Sequence, residues 1–281
     1  MKIIPIASDS LGVRSMATLV ETKDCRIAID PSAALGPSRY GLPPSPQEEE
    51  ALKFYLGEAH KAASESDVIV ISHYHFDHFD LSGSHFENKT VYAKDVTRDI
   101  NKSQIERGTA FKENVGGLCE IIYADGKEFV IGDTVIRFSP ASAHGPAGIR
   151  LGFVLMTTVK EGGKTFLHAS DVQGPVVRET AGYIIREHPD VLYMDGPPTL
   201  FLGWKFSYKN LEEAKENLLL IQREVDPEII LDHHLLRDLR YRELMGRVYD
   251  NEKVKSAAEV LGKENRMLEA HRKELWDAVK H

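Results

Sequence analysis

The residues His73-Tyr74-His75-Phe76-Asp77-His78 follow directly on Asp67-Val-Ile-Val-Ile-Ser72, an unbroken apolar run of strand length. Such a run fits a strand covered on both faces, which places it inside a layered fold. Three imidazoles and a carboxylate crowd its exit. In a turn after a strand, side chains two apart point the same way, and these donor types are those that hold borderline divalent cations. A chance histidine-rich surface turn is a poor account of a pattern this specific.

The rest of the chain predicts strands at 2–7, 16–21, 25–29, 90–93, 120–123, 128–131, 135–139, 152–158, 165–169, 191–194 and 228–231. Helices are predicted at 47–64, 96–107, 176–187 and 210–224. Glu48, Glu49 and Glu50 open the first of these, which suits the helix dipole. Residues 31–46 carry Gly36, Pro37, Gly41, Pro43 and Pro44 and read as an irregular loop. Strand runs punctuated by helices in both halves predict a layered α/β fold with helices outside two sheets. One domain is expected over 1–235, with 236–281 as a charged, helical C-terminal extension packed on it.

The formal net charge of -8 argues against a surface that coats extended nucleic acid, though a metal site would still accept a small anionic substrate. Cys25 and Cys119 stand far apart and read as buried hydrophobes rather than a disulfide or thiolate site. The N-terminus lacks a long apolar segment, and no stretch has the ~18–20 apolar residues of a membrane span. A cytoplasmic protein is the expectation, with a small-molecule substrate, no membrane and a possible homodimer through the C-terminal helices.

The His-x-His-x-Asp-His cluster resembles the metallo-β-lactamase-fold superfamily, whose pattern continues with a lone His, an Asp and a final His. His144 in Ser139-Pro-Ala-Ser-Ala-His144 matches the first, and Asp171 in Phe166-Leu-His-Ala-Ser-Asp171 the second. The final His is matched by His233 or His234. Leu231-Asp232-His233 is closer to the family's strand-end Leu-Thr-His, so His233 is preferred and His234 is the alternative. The resemblance runs from about Ile3 to Leu236. Ser170-Asp171-Val-Gln-Gly-Pro175 and Asp195-Gly-Pro-Pro198 narrow it to an uncharacterised, largely archaeal branch.

The resemblance implies an αβ/βα four-layer sandwich of two mixed β-sheets flanked by helices, and a dinuclear metal centre. His73, His75 and His144 would hold one metal; Asp77, His78 and His233 the other; Asp171 would bridge. Zinc is the expected ion, with manganese or iron as alternatives. Such a pair activates water to cleave an ester-type bond, here a small phosphoester or lactone, with Asp77 also placed to orient or deprotonate the water. A flavin-partnered di-iron redox protein and a non-catalytic metal-binding protein are the other readings. Arg39 and Tyr40, on a candidate lid at 31–46, and Lys205 and Tyr208, beside Trp204, are candidate substrate contacts. His168 is expected to be packed in the core or to support a ligand from behind, without itself binding metal, and His60, His85, His188 and His271 to lie on the surface. Asp80 and Asp232, flanking the ligand motifs, are expected either to hydrogen-bond a ligand imidazole or to face solvent.

Overall fold

Val68, Ile69, Val70 and Ile71 are all buried, and their side chains divide between two faces of a sheet. Val68 and Val70 join Val20, Ile27 and Ile29 in a core shared with Ile136, Phe138, Phe166, Tyr193 and Ile230 from a second sheet. Ile69 and Ile71 instead pack with Phe79, Phe86 and Phe111. The period-two alternation of a strand thus fills two separate cores at once.

The computed structural model describes residues 1–148 and 150–279. Its first sheet has the order β1 Lys2–Pro5, β2 Thr18–Glu21, β3 Arg26–Ile29, β4 Val68–Ile71, β5 Thr90–Ala93 and β6 Glu120–Tyr123. The β1–β2 and β2–β3 pairs are antiparallel and the remainder parallel. Helices α1 (Pro46–Ser64) and α2 (Lys102–Val115) connect strands of this sheet. The second sheet starts with β7 Glu128–Ile131 and β8 Thr134–Phe138; a two-stranded hairpin, β9 Ser142–Ala143 and β10 Phe153–Val154, interrupts it. It resumes with β11 Thr157–Glu161, β12 Lys164–Ser170, β13 Val191–Asp195 and β14 Glu228–Asp232. Helices α3 (Arg178–Glu187) and α4 (Tyr208–Glu224) lie between its later strands, and Ala181, Ile184, Leu211, Leu218 and Ile221 cover its outer face. Helix, sheet, sheet, helix is the four-layer sandwich expected.

Three departures from the sequence reading have local causes. The second helix starts at Lys102, not residue 96, because the Asp95 carboxylate accepts from the Thr97 backbone N–H and holds a turn. Asn101 then caps the helix. Gly108 does not end that helix: a Cβ there would lie 2.7 Å from the Tyr74 ring, so the glycine admits close packing. The strand predicted at 152–158 is two strands, since the Leu155 N–H donates to the Ser72 carbonyl and the chain crosses between sheets there.

The segment after 235 is not helical throughout. It holds α5 (Tyr241–Met245), β15 (Val254–Lys255), α6 (Ala257–Val260) and α7 (Arg272–Val279), and β15 pairs in parallel with β14 at the edge of the second sheet. Arg272, fully buried, meets Glu48 at the start of α1. Among the described residues no helix is long and apolar enough to cross a membrane.

A candidate metal centre at one sheet edge

The chain leaves β3, β4, β12 and β14 on the same edge of the sandwich, and each exit delivers a polar side chain. Asp30, Ser170 and His233, at or just past three of these ends, have positive φ of 48°, 56° and 52°. Left-handed backbone costs a non-glycine residue about 1 kcal/mol or more, and such strain concentrates where geometry serves a function. Here it turns each chain abruptly from strand to site.

The sequence-predicted ligands come together. His73 Nε2 lies 3.0 Å from His75 Nδ1, and His144 Nε2 lies 3.2 Å from the same atom. Asp171 Oδ2 is 3.1 Å from His144 Nε2 and 3.7 Å from His73 Nε2. The other oxygen of Asp171 turns to a second group: Oδ1 is 3.3 Å from His78 Nε2 and 3.6 Å from His233 Nε2. Asp77 Oδ2 stands 3.5 Å from His233 Nε2. His73, His78, His144, Asp171 and His233 are buried, whereas Asp77, at 18% exposure, and the partly buried His75 and His234 line the open side.

His234 also enters the centre. Its Nε2 lies 3.7 Å from Asp171 Oδ2 and its Nδ1 is joined to Asp195 by a 2.7 Å hydrogen bond. Either histidine of the pair thus reaches Asp171, and only His233 also reaches Asp77.

Behind the imidazoles stand residues to which the sequence reading gave no role. His78 Nδ1 donates to Asp30 Oδ2 at 2.9 Å, and Asp30 accepts in addition from the Ser72 N–H and hydroxyl. His233 Nδ1 donates to Asp9 at 2.7 Å, and Asp9 also accepts from Arg237 Nε at 2.8 Å. Carboxylates on the far nitrogen fix which nitrogen of a histidine faces the centre. Asp30 and Asp195 stand at the ends of apolar strand runs on the ligand-bearing edge, whereas Asp9 lies in a short turn and carries no such signal.

Burial and close contact shift the titrating groups of this interior strongly. Burial, with His144 adjacent, pushes His75 down to about 3, and burial with His78 and His75 nearby drives His73 well below its usual range. Burial acts the same way on His78 and His233 but is overcome. Asp171 and Asp30 raise His78 well above normal, and Asp171 and Asp9 raise His233 to about 9 against Arg237. Burial would raise Asp171, yet His78 and His233 hold it well below the carboxylate range. Asp171 Oδ1 and His78 Nε2 are buried and make no hydrogen bond among the described residues. An interior carboxylate oxygen without a donor, facing imidazole nitrogens, suits a bound cation.

The other residues singled out in the sequence make the following contacts. Arg39 donates to Tyr40 Oη and the Arg237 carbonyl, and Tyr40 Oη donates to the Ala270 carbonyl, so both pin the 31–46 loop to the C-terminal segment. Lys205 lies over the Trp204 ring at 4.2 Å and Tyr208 is exposed; neither bonds to the centre among the described residues. His168 is packed in the core, its Nε2 3.1 Å from the Met16 carbonyl. Asp232 neither faces solvent nor holds an imidazole; it accepts from the Ser10, His233 and Ala257 N–H groups. Asp80 joins His60, not a ligand. His85, expected on the surface, is only 4% exposed because it packs against Phe86.

No protein-family model matches the chain. It is 43% identical over 290 residues to a UPF0282 protein of Methanopyrus kandleri, covering 98% of this chain and 99% of that one. A UPF0282 protein of Methanocaldococcus jannaschii is 45% identical over 288 residues, with 98% and 96% covered. Among solved structures, the metallo-beta-lactamase fold protein YhfI from Bacillus subtilis aligns with a TM-score of 0.54 at 16% identity, covering 94% of this chain and 96% of that one. An isothiocyanate hydrolase from Delia radicum gut bacteria aligns with the same TM-score and identity, over 87% and 94%. The fold is that of the metallo-β-lactamases.

Proposed function

From the chain's place in the UPF0282 family, which its archaeal relatives establish, and from its strand-edge centre, we propose that it is a metal-dependent hydrolase acting on a small ester. The observation that carries this reading is Asp171, whose two carboxylate oxygens face two separate groups of donors. His73, His75 and His144 would hold one divalent cation and Asp77, His78 and His233 the other, with Asp171 between them and His234 as the alternative terminal ligand. A bound pair of such ions would supply Lewis acidity and lower the pKa of water towards ~7. Zinc suits the donor set best, with manganese and iron compatible.

The chain's own residues do the positioning. Asp30 and Asp9 hold the rings of His78 and His233, and Asp195 holds His234. Asp77, the most open carboxylate of the centre, is held well below the usual carboxylate range by His78, His233 and Arg237 against its burial, so it stays an anion able to hold a cation and to orient incoming water. The Arg237 guanidinium, 3.7 Å from Asp77 Oδ2, adds fixed positive charge where an anion develops. With two cations bound, the centre would suit a phosphoester or lactone, and the net charge of -8 disfavours a polynucleotide.

Assays of phosphodiester, lactone and thioester model substrates with zinc or manganese test the proposal. One class should be turned over by the wild type, and His75→Ala should lower kcat/KM at least ~100-fold. Equal inactivity of both proteins on every substrate and metal would refute a hydrolase.

A further inference from the structure

A second cluster of metal-type donors lies outside the centre described above. His60, on α1, and Asp80, two residues beyond His78, are joined by a 2.7 Å hydrogen bond between Nε2 and Oδ2. The ring of His85 stacks on that of His60, with centroids 4.2 Å apart and planes 16° from parallel. His85 Nε2 points to the same oxygen of Asp80 from 3.9 Å. One donor atom from each residue lies within 4.8 Å of the others.

An ordinary histidine–aspartate hydrogen bond accounts for His60 and Asp80. It does not account for His85, whose Nε2 is buried and has no hydrogen-bond partner among the described residues. A buried imidazole nitrogen without a partner is costly, and stacking a second imidazole on it supplies none. The ring is held in this pose: a Cβ on Gly83 would fall 2.4 Å from His85 Cε1 and 2.5 Å from Nδ1, so the glycine makes room for it. The other oxygen of Asp80 is also engaged, 3.1 Å from the Ser32 hydroxyl, leaving Oδ2 to face the two rings. Burial, with His60 beside it, pushes His85 down to about 4, so its lone pair is free at neutral pH.

We infer that His60, Asp80 and His85 form a further binding site for a single divalent cation of the zinc class. Two imidazoles and a carboxylate are borderline donors, and three protein ligands leave a position for water. His60 at 35% and Asp80 at 25% side-chain exposure give the ion a path from solvent. Tetrahedral bonds of roughly 2.0–2.2 Å set donor atoms about 3.4 Å apart, so an ion would part His60 from Asp80, now 2.7 Å away, and draw His85 in from 3.9 Å. The site would tie α1, the loop beyond the ligand cluster and, through Ser32, the start of the 31–46 loop to one another.

Zinc content of the whole 281-residue chain, measured by elemental analysis after dialysis against buffered zinc, tests this. His60→Gln and His85→Gln should each lower it by about one equivalent relative to wild type, with their circular dichroism unchanged. Zinc content equal to wild type in both would overturn the inference. Should the buried His85→Gln fail to fold, the partly exposed His60→Gln decides alone. His75→Ala separates this site from the first centre: that variant should still lose about one equivalent on adding His60→Gln. No loss at that step overturns the inference, whereas equal zinc in wild type and His75→Ala would count only against the first centre.

Discussion

Asp171 and the histidines around it were legible in the sequence because each stands where an apolar run stops, and His73 to His78 lie within six residues. The carboxylates behind them were not, since nothing in spacing relates Asp9 to His233, 224 positions away, or Asp30 to His78, 48 away. The fold alone creates those pairs. Asp30→Asn separates the carboxylate's role from its backbone role, because asparagine tolerates the left-handed φ of 48°. This variant should stay folded and bind metal about 10–100-fold more weakly, as read by competition with a chromophoric chelator. Affinity equal to wild type would mean that the Asp30–His78 bond does not orient the ligand.

Helix α1 shows what an element's sequence tells and conceals. Its acidic first turn predicted the start of the helix, and Ser45 and Glu48 do form a capping box. Burial of Glu48 was hidden, because its partner, Arg272, belongs to a C-terminal segment that reads as surface helix. Arg272 donates through Nε and Nη2 to that carboxylate, and both side chains are fully buried. Removing one partner strands the other charge, so Arg272→Ala should cost roughly 3–5 kcal/mol in urea unfolding. The same segment is tied to the N-terminal region by Glu269, paired bidentately with Arg14. Burial opposes ionisation of Glu269, but Arg14 and Arg237 hold it down to about 2, below the ordinary 4.5. A depressed carboxylate stabilises the fold above its unfolded pKa and loses that contribution as pH falls from about 4.5 to about 2. Glu269→Gln should therefore flatten the acid limb of the stability profile by about 3 kcal/mol; an unchanged slope would show that the pair carries no such linkage.

At the scale of the molecule, the two-sheet sandwich followed from alternating strand and helix patterns, and its four layers are those observed. The joining of β15 to the second sheet was not legible, since a two-residue strand carries no periodicity. The sandwich brings strand ends from both sheets to one edge, so ions held there would brace the two halves. Chelation should lower the melting temperature by roughly 5–10 °C at metal concentrations near 100 times Kd. The shift should shrink in a variant lacking both His73 and Asp171. The most direct measurement is anomalous diffraction at the metal absorption edge from crystals grown with zinc. Two peaks flanking Asp171, one among His73, His75 and His144 and one among Asp77, His78 and His233, are predicted. A map without density between these side chains would contradict the account.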